Sequence, residues 1–197
     1  MKIELYVARY SVTGVPLAQI RLASALARLG HDVTLIFGYV GENHRLPSIP
    51  LVNVKVLNVP QVRNMVVPLI KHFLTSRPEI VFTAEDHLNT VVLISAIFSG
   101  TKAKISASSR VTPFDTYSRQ AFSKRWWLKI LARAVMWRAD ALTCVSKDMV
   151  KQYQKIFRSS SHVAVYNIVD DEKARNRMRE SVSHSWFTDK STPVVIA

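Results

Sequence analysis

The chain has one cysteine, Cys144, among 197 residues, which excludes an internal disulfide framework and a thiolate-rich metal site. Histidine offers no substitute, because His31, His44, His72, His87, His162 and His184 are scattered without HxxxH or HExxH spacing, so no metal site is expected. Glycine is scarce, five in all, and neither G-x-G-x-x-G nor G-x-x-x-x-G-K-[ST] occurs. The standard dinucleotide fingerprint and the P-loop are therefore excluded. Long apolar runs are missing too: the longest, residues 88–100, has about thirteen residues against the roughly twenty that span a bilayer. The N-terminal MKIELYVARY is broken by Glu4 and Arg9 and does not read as a signal peptide. A cytoplasmic protein with no spanning segment is expected. No low-complexity tract or 20- to 50-residue signature repeat is present.

Acidic residues are also few, 14 Asp plus Glu against 27 Lys plus Arg, a net charge of +13 that attracts polyanions, anionic lipid or phosphorylated substrates. No RRM, KH or helix-turn-helix signature accompanies that charge, so nucleic acid is not an expected partner. What the composition does hold is globular: 48% hydrophobic and 21% charged, in a length suited to one well-buried domain.

That domain is organised around residues 1–37. Residues 2–8 form an apolar run with little alternation, the mark of a parallel strand covered on both faces. A polar loop, residues 9–15, holds Gly14, and Pro16 is expected at or near the first helical position. The helix that follows carries Ile20, Leu22, Ala23, Leu26, Ala27 and Leu29 and stops at Gly30, before a second strand over 33–37. The same alternation recurs: strands over 52–59, 79–83, 102–106, 140–145 and 162–166, with helices over 65–76, 89–99, 118–138 and from Ser146 to about 157. Ser146 reads as an N-cap and not as a nucleophile, since G-x-S-x-G is absent. Cys144 reads as a buried small hydrophobe. The fold class expected is α/β, a doubly wound, mainly parallel sheet over residues 1–166. Residues 167–192 read as a linker or tail, and PVVIA, 193–197, as the first strand of a further domain.

Candidate site residues fall on loops at the carboxyl edge of such a sheet. Gly14, ahead of a helix N-terminus, favours an anion or a sugar hydroxyl, or is a plain turn residue. Glu85, Asp86 and His87 follow a strand directly and supply base or hydrogen-bonding groups; alternatively Asp86 caps a helix and His87 is a surface or core residue. Arg110, in SSRVTP, binds a phosphate or is solvated. Farther on, Arg125, Lys129 and Arg133 form a four-residue-spaced stripe opposite Trp127, Leu128, Ile130, Leu131, Ala134 and Val135. Basic heads beside interfacial tryptophans suit a helix lying on an anionic membrane, while a helix covering the sheet with a solvated basic edge explains the same pattern.

Taken together, VTGVPLAQIRLASALARLGHDVTLI, RPEIVFTAE, ADALTCVSKDMVKQY and VYNIVD resemble the N-terminal half of a GT-B glycosyltransferase of family 4, VYNIVD being similar to the family's N-P-x-D entry to the interdomain linker. The family's paired glycines are reduced to Gly14, preceded by Thr13, and Ile168 stands where a proline is common. The G-R-L and E-x7-E segments that hold the donor would begin after Ala197. The resemblance implies a Rossmann-like domain of a retaining enzyme that moves a sugar from a UDP- or GDP-sugar to a glycan or lipid-linked acceptor. It implies that this half binds the acceptor through loops bearing Gly14, Glu85 and Arg110, that it carries no cofactor of its own, and that it is inactive without its C-terminal domain. A location at the inner membrane face agrees with the basic, Trp-bearing helix. The competing expectation is a non-catalytic basic module for an anionic membrane or polyanion.

Overall fold

The computed structural model describes residues 1–42, 44–157, 161–168, 172–181, 184 and 186. Its first compact unit, Met1–Asn167, is a seven-stranded sheet in which every neighbouring pair runs parallel, in the order β3-β2-β1-β4-β5-β6-β7. The strands are β1 (Lys2–Tyr10), β2 (Asp32–Val40), β3 (Val52–Val56), β4 (Ile80–Ala84), β5 (Lys104–Ser109), β6 (Ala141–Cys144) and β7 (His162–Ala164). Helices α1 (Gly14–Arg28), α2 (Val66–Ser76), α3 (Asp86–Ser99), α4 (Pro113–Thr116), α5 (Lys124–Val135) and α6 (Lys147–Ile156) connect them, and a second unit, Ile168–Ala197, contains α7 (Glu172–Met178). The expected strand over 193–197 lies outside the described residues.

The doubly wound parallel sheet expected from the alternation is therefore the observed fold. Strand β1 is central because its side chains are apolar on both faces: Leu5 and Val7 pack with Val33, Leu35 and α1, while Tyr6 and Ala8 pack with Met65, Leu69, Phe73 and α3. At β2 the backbone closes up, and a Cβ on Gly38 would lie 2.5 Å from the Ala8 carbonyl oxygen and 2.8 Å from the Met65 sulfur. Glycine is required there by contact, not by backbone angle.

Several element boundaries differ from expectation, three of them in ways that reshape loops. Strand β1 continues to Tyr10 and α1 starts at Gly14, so the first loop is only Ser11, Val12 and Thr13, and Pro16 is the third helical residue. The helix expected over 118–138 is shorter. Residues 117–123 leave the helix, with Phe122 at φ +62°, and α5 begins after Ser123, whose hydroxyl accepts from the Trp126 N–H. A short helix, α4, occupies part of the loop expected over 107–117.

Glu4 is the residue whose setting the sequence concealed. It stands mid-strand, 1% exposed, and accepts hydrogen bonds from the Tyr6 hydroxyl at 2.6 Å and from Ser76, with His72 Nε2 3.1 Å from both carboxylate oxygens and Lys55 Nζ 3.1 Å from His72 Nδ1. Burial opposes ionisation of Glu4. The hydrogen bonds from His72, Ser76 and Tyr6, with the charge of His72, outweigh it and hold the carboxyl below its ordinary value near 4.5. A carboxyl depressed in the folded state contributes stability that is present above its unfolded pKa and lost as pH falls through the folded one. Urea titrations of the wild type should therefore lose stability progressively below about pH 4.5. Glu4→Gln should cost about 1–3 kcal/mol at neutral pH and flatten that acid slope; an unchanged slope would assign it to other carboxyls.

Candidate functional site

The strand order reverses between β1 and β4: from β1 the chain adds strands on one side through β2 and β3, then on the other through β4. Helices α1 and α3 leave these two strands for opposite faces, α1 packing in the cluster of Leu5 and Val7, α3 in that of Tyr6 and Ala8. A crevice opens at the carboxyl ends of such a pair. Its walls are the Ser11–Thr13 loop with the start of α1, and the turn at Glu85.

Gly14 opens α1, where an added Cβ would meet nothing within 4 Å. The two hydroxyls before it, Ser11 and Thr13, lie 2.7 Å apart, and Thr13 makes no side-chain cap bond to the helix. Across the crevice Glu85 occupies φ +84°, ψ +129°, a conformation that costs a non-glycine residue on the order of 1–3 kcal/mol. Its N–H donates to the Ser108 carbonyl at 3.1 Å, and its carbonyl accepts from the Asn89 N–H at 2.8 Å. Burial pushes the Glu85 carboxyl above the ordinary range; the charge of His87 opposes this and that of Asp86 adds to it. His87 is exposed on the first turn of α3.

Asp86 points inward, as a hydrogen-bonding group and not as the helix cap that chain order also allowed. It is buried, and its carboxylate neither caps α3 nor faces the crevice: Oδ1 accepts from the Ser109 hydroxyl at 2.7 Å and Oδ2 from the Tyr153 hydroxyl at 2.6 Å. Tyr153 also lies 3.2 Å from the Val111 carbonyl oxygen, to which it can donate. One buried carboxylate thus ties the β4 turn, the end of β5 and helix α6 together. Burial outweighs the hydrogen bonds from Tyr153 and Ser109, leaving the Asp86 carboxyl above its ordinary value, and the Asp86 charge adds to the burial that pushes the Cys144 thiol up to about 12. Beside this cluster a cavity of about 20 Å³ is lined by Asn89, Ser109, Tyr117 and His162 among others. Asn89 Oδ1 and His162 Nδ1 are buried without protein partners, and burial lowers His162 to about 4.

Arg110 follows the cluster directly. Its Nη1 donates to Asn167 Oδ1, its Nε is buried with no acceptor, and no carboxylate pairs with it among the described residues. Burial lowers its pKa. The fold thus joins Arg110 to Asn167, the asparagine of the VYNIVD motif, which lies fifty-seven residues away in sequence. Two contributors, Tyr153 and Ser109, escaped sequence reading. The polar Ser-Ser ending β5 and the one aromatic residue of α6 are the only signals that could have marked them.

The family model for Glycosyltransferase Family 4 matches residues 12–173, more than four-fifths of the chain. The chain belongs to glycosyltransferase family 4. No curated protein sequence matches it. Among solved structures, the family 4 chain is similar to the lipopolysaccharide outer core galactosyltransferase WaaB in its apo form (13% identity, TM-score 0.62, covering 86% of this chain and 46% of that one). It is also similar to HepE of Anabaena in complex with UDP (15%, 0.59, 91% and 49%) and to sucrose-phosphate synthase of Thermosynechococcus elongatus (12%, 0.65, 91% and 52%). These likenesses establish the Rossmann-like fold of a GT-B glycosyltransferase N-terminal domain, as the sequence motifs implied. The family 4 chain spans about half the length of the structures it matches. Among the described residues no group of three or more His, Cys, Asp or Glu is placed to hold a metal, and no helix is long and apolar enough to cross a membrane.

The buried cluster makes a stability prediction. Tyr153→Phe leaves Asp86 Oδ2 without its donor and should cost about 1–3 kcal/mol, measured as a lower urea midpoint at unchanged slope. An unchanged midpoint would show that the Tyr153 hydroxyl does not satisfy Asp86.

Proposed function

We propose that residues 1–167 form the acceptor-binding half of a retaining glycosyltransferase, with the UDP- or GDP-sugar donor bound by residues outside this chain. The observation that carries the reading is the pairing, at one sheet edge in a family 4 chain, of a backbone-strained Glu85 with an Arg110 whose Nε is buried without an acceptor and which pairs with no carboxylate among the described residues. Strain of this kind persists where the surroundings enforce it and concentrates at functional sites. Glu85, its proton held more tightly by burial, serves as hydrogen-bonding partner or base to an acceptor hydroxyl. Arg110 supplies charge-assisted hydrogen bonds, and Gly14 keeps the opposite wall low enough for a sugar to approach. Asp86 fixes the turn that carries Glu85, and exposed His87 stands at its rim.

The 197-residue chain alone should show neither sugar transfer nor affinity for uridine or guanosine diphosphate sugars by calorimetry. In a longer polypeptide that carries it, Glu85→Ala and Arg110→Ala should raise the acceptor KM about 10- to 100-fold, the worth of a charge-assisted hydrogen bond, with donor binding little changed. Micromolar donor binding by residues 1–197 would overturn the assignment.

Helix α5 supports an additional role at an anionic membrane. Only Ala132 and Val135 on it are buried, whereas Trp127 is 50% exposed and Ile130 and Leu131 face solvent as well. The apolar arc is thus turned largely outward, where a helix that merely covers the sheet would bury it. Lys129 and Arg133 have no acidic partner among the described residues; Arg125 is held instead by the α4 carbonyls of Phe114 (2.8 Å), Asp115 and Thr116 (3.4 Å). Each exposed cation contributes about 1 kcal/mol at an anionic surface, screened by salt. The chain should sediment with anionic vesicles at low salt, and Lys129→Gln with Arg133→Gln should reduce this. Equal sedimentation with neutral vesicles would contradict it.

A further inference from the structure

The surface leading away from Arg110 bears on what the acceptor is, and the inference drawn from it rests on the acceptor reading above. A guanidinium taken partly out of water with a buried, unpartnered Nε is costly unless an anion completes its hydrogen bonds, and the planar fork matches phosphate oxygens best. Next along the chain stands Val111, exposed, its carbonyl 3.2 Å from the Tyr153 hydroxyl. Then comes Phe114, 51% exposed, whose carbonyl receives Arg125 of α5 at 2.8 Å. That contact brings α4 against the first turn of α5, where the rings of Phe122 and Trp126 lie 5.6 Å apart and those of Trp126 and Trp127 lie 4.8 Å apart. Phe122 is 79% exposed and has a left-handed backbone, φ +62°. Isolated exposed hydrophobics need no explanation, but a run of them does when it lies on two elements joined by the Arg125–Phe114 hydrogen bond and begins beside a cation with no carboxylate partner among the described residues. A soluble anion would use the cation and leave the series bare, and a bilayer surface alone would use the aromatic end and leave Arg110 unpaired.

We propose that the acceptor is an amphiphile with a phosphate or diphosphate head joined to an apolar chain, the head held by Arg110 and the chain laid along Val111, Phe114, Phe122 and Trp126. Isoprenoid phosphates and phospholipids share this chemistry, and two probes separate them: farnesyl diphosphate and dihexanoyl phosphatidic acid. Calorimetry or tryptophan fluorescence of the 197-residue chain, below the aggregation limit of each probe, should show one of them binding at least about tenfold tighter than both inorganic pyrophosphate and farnesol. Arg110→Gln should bring its affinity to that of the matching uncharged amphiphile. Phe114→Ser with Phe122→Ser should bring it to the level of pyrophosphate; both side chains are exposed, so the urea midpoint should not move. Pyrophosphate binding as tightly as both amphiphiles would overturn the apolar chain and leave the acceptor reading intact. Farnesol binding as tightly as farnesyl diphosphate, or an Arg110→Gln variant that binds normally, would overturn the phosphate head. Tight amphiphile binding that fails to compete with sugar transfer by a longer polypeptide would support the amphiphile site and defeat the acceptor reading instead.

Discussion

The reversal of strand order between β1 and β4 is the constraint on which the structure depends. Parallel strands need crossovers, and with one hand of crossover the chain can extend the sheet on both sides of β1 only by sending α1 and α3 to opposite faces. The carboxyl ends of β1 and β4 are then left without a helix over them. A sequence rich in short apolar runs and poor in glycine still obtains a crevice, because topology supplies it and no glycine-rich loop is required. The cores around Leu5, Val7 and Phe37 on one face and Tyr6 on the other hold β1 rigid beneath it.

Polar chemistry in this domain is sorted by depth. Asp86 lies in the interior and satisfies itself on Ser109 and Tyr153, so the cost of burying a carboxylate is offset by order imposed on the turn before it and the loop after β5. Glu85 and Arg110, one residue from each of these anchors, inherit fixed positions with much of their own hydrogen-bonding capacity unspent. Glu4 follows the same rule within β1, satisfied by Tyr6, His72 and Ser76. The large positive charge therefore does not mark one continuous patch: Lys104 and Arg138 pair with Asp140, Arg125 is spent on carbonyls, and Lys129 and Arg133 have no acidic partner among the described residues and lie beside an outward-facing aromatic ridge.

Much of the fold was legible in the sequence because it is written in local periodicity. Unalternating runs at 2–8 and 79–83 became the central strands, and Gly30 and Gly100 stop their helices near φ +84° and +63° as the stop signals at those positions implied. Gly14, Glu85 and Arg110 could be placed at the carboxyl edge from chain order alone. What could not be read was side-chain direction at polar positions. Glu85 and Asp86 are adjacent carboxylates with opposite fates, decided by a serine twenty-three residues on and a tyrosine sixty-seven residues on. Likewise the amphipathic pattern of 118–138 gave no sign that Phe122 would adopt a left-handed backbone and delay the start of the helix, nor that the apolar arc would be turned to solvent. Periodicity identifies an apolar face without identifying what it packs against.

The central claim is that ligands meet this domain at the carboxyl edge between β1 and β4. The competing location is a larger groove of about 730 Å³ at the opposite edge, lined by Phe73, Leu74, Arg77, Ile80, Ser99 and Lys102 among others. Hydrogen–deuterium exchange of the chain with and without farnesyl diphosphate discriminates between them. Slowed exchange confined to residues 11–16, 84–90, 108–116 and 122–127 is predicted, and slowed exchange at 73–80 and 99–104 with the carboxyl edge unchanged would contradict this placement.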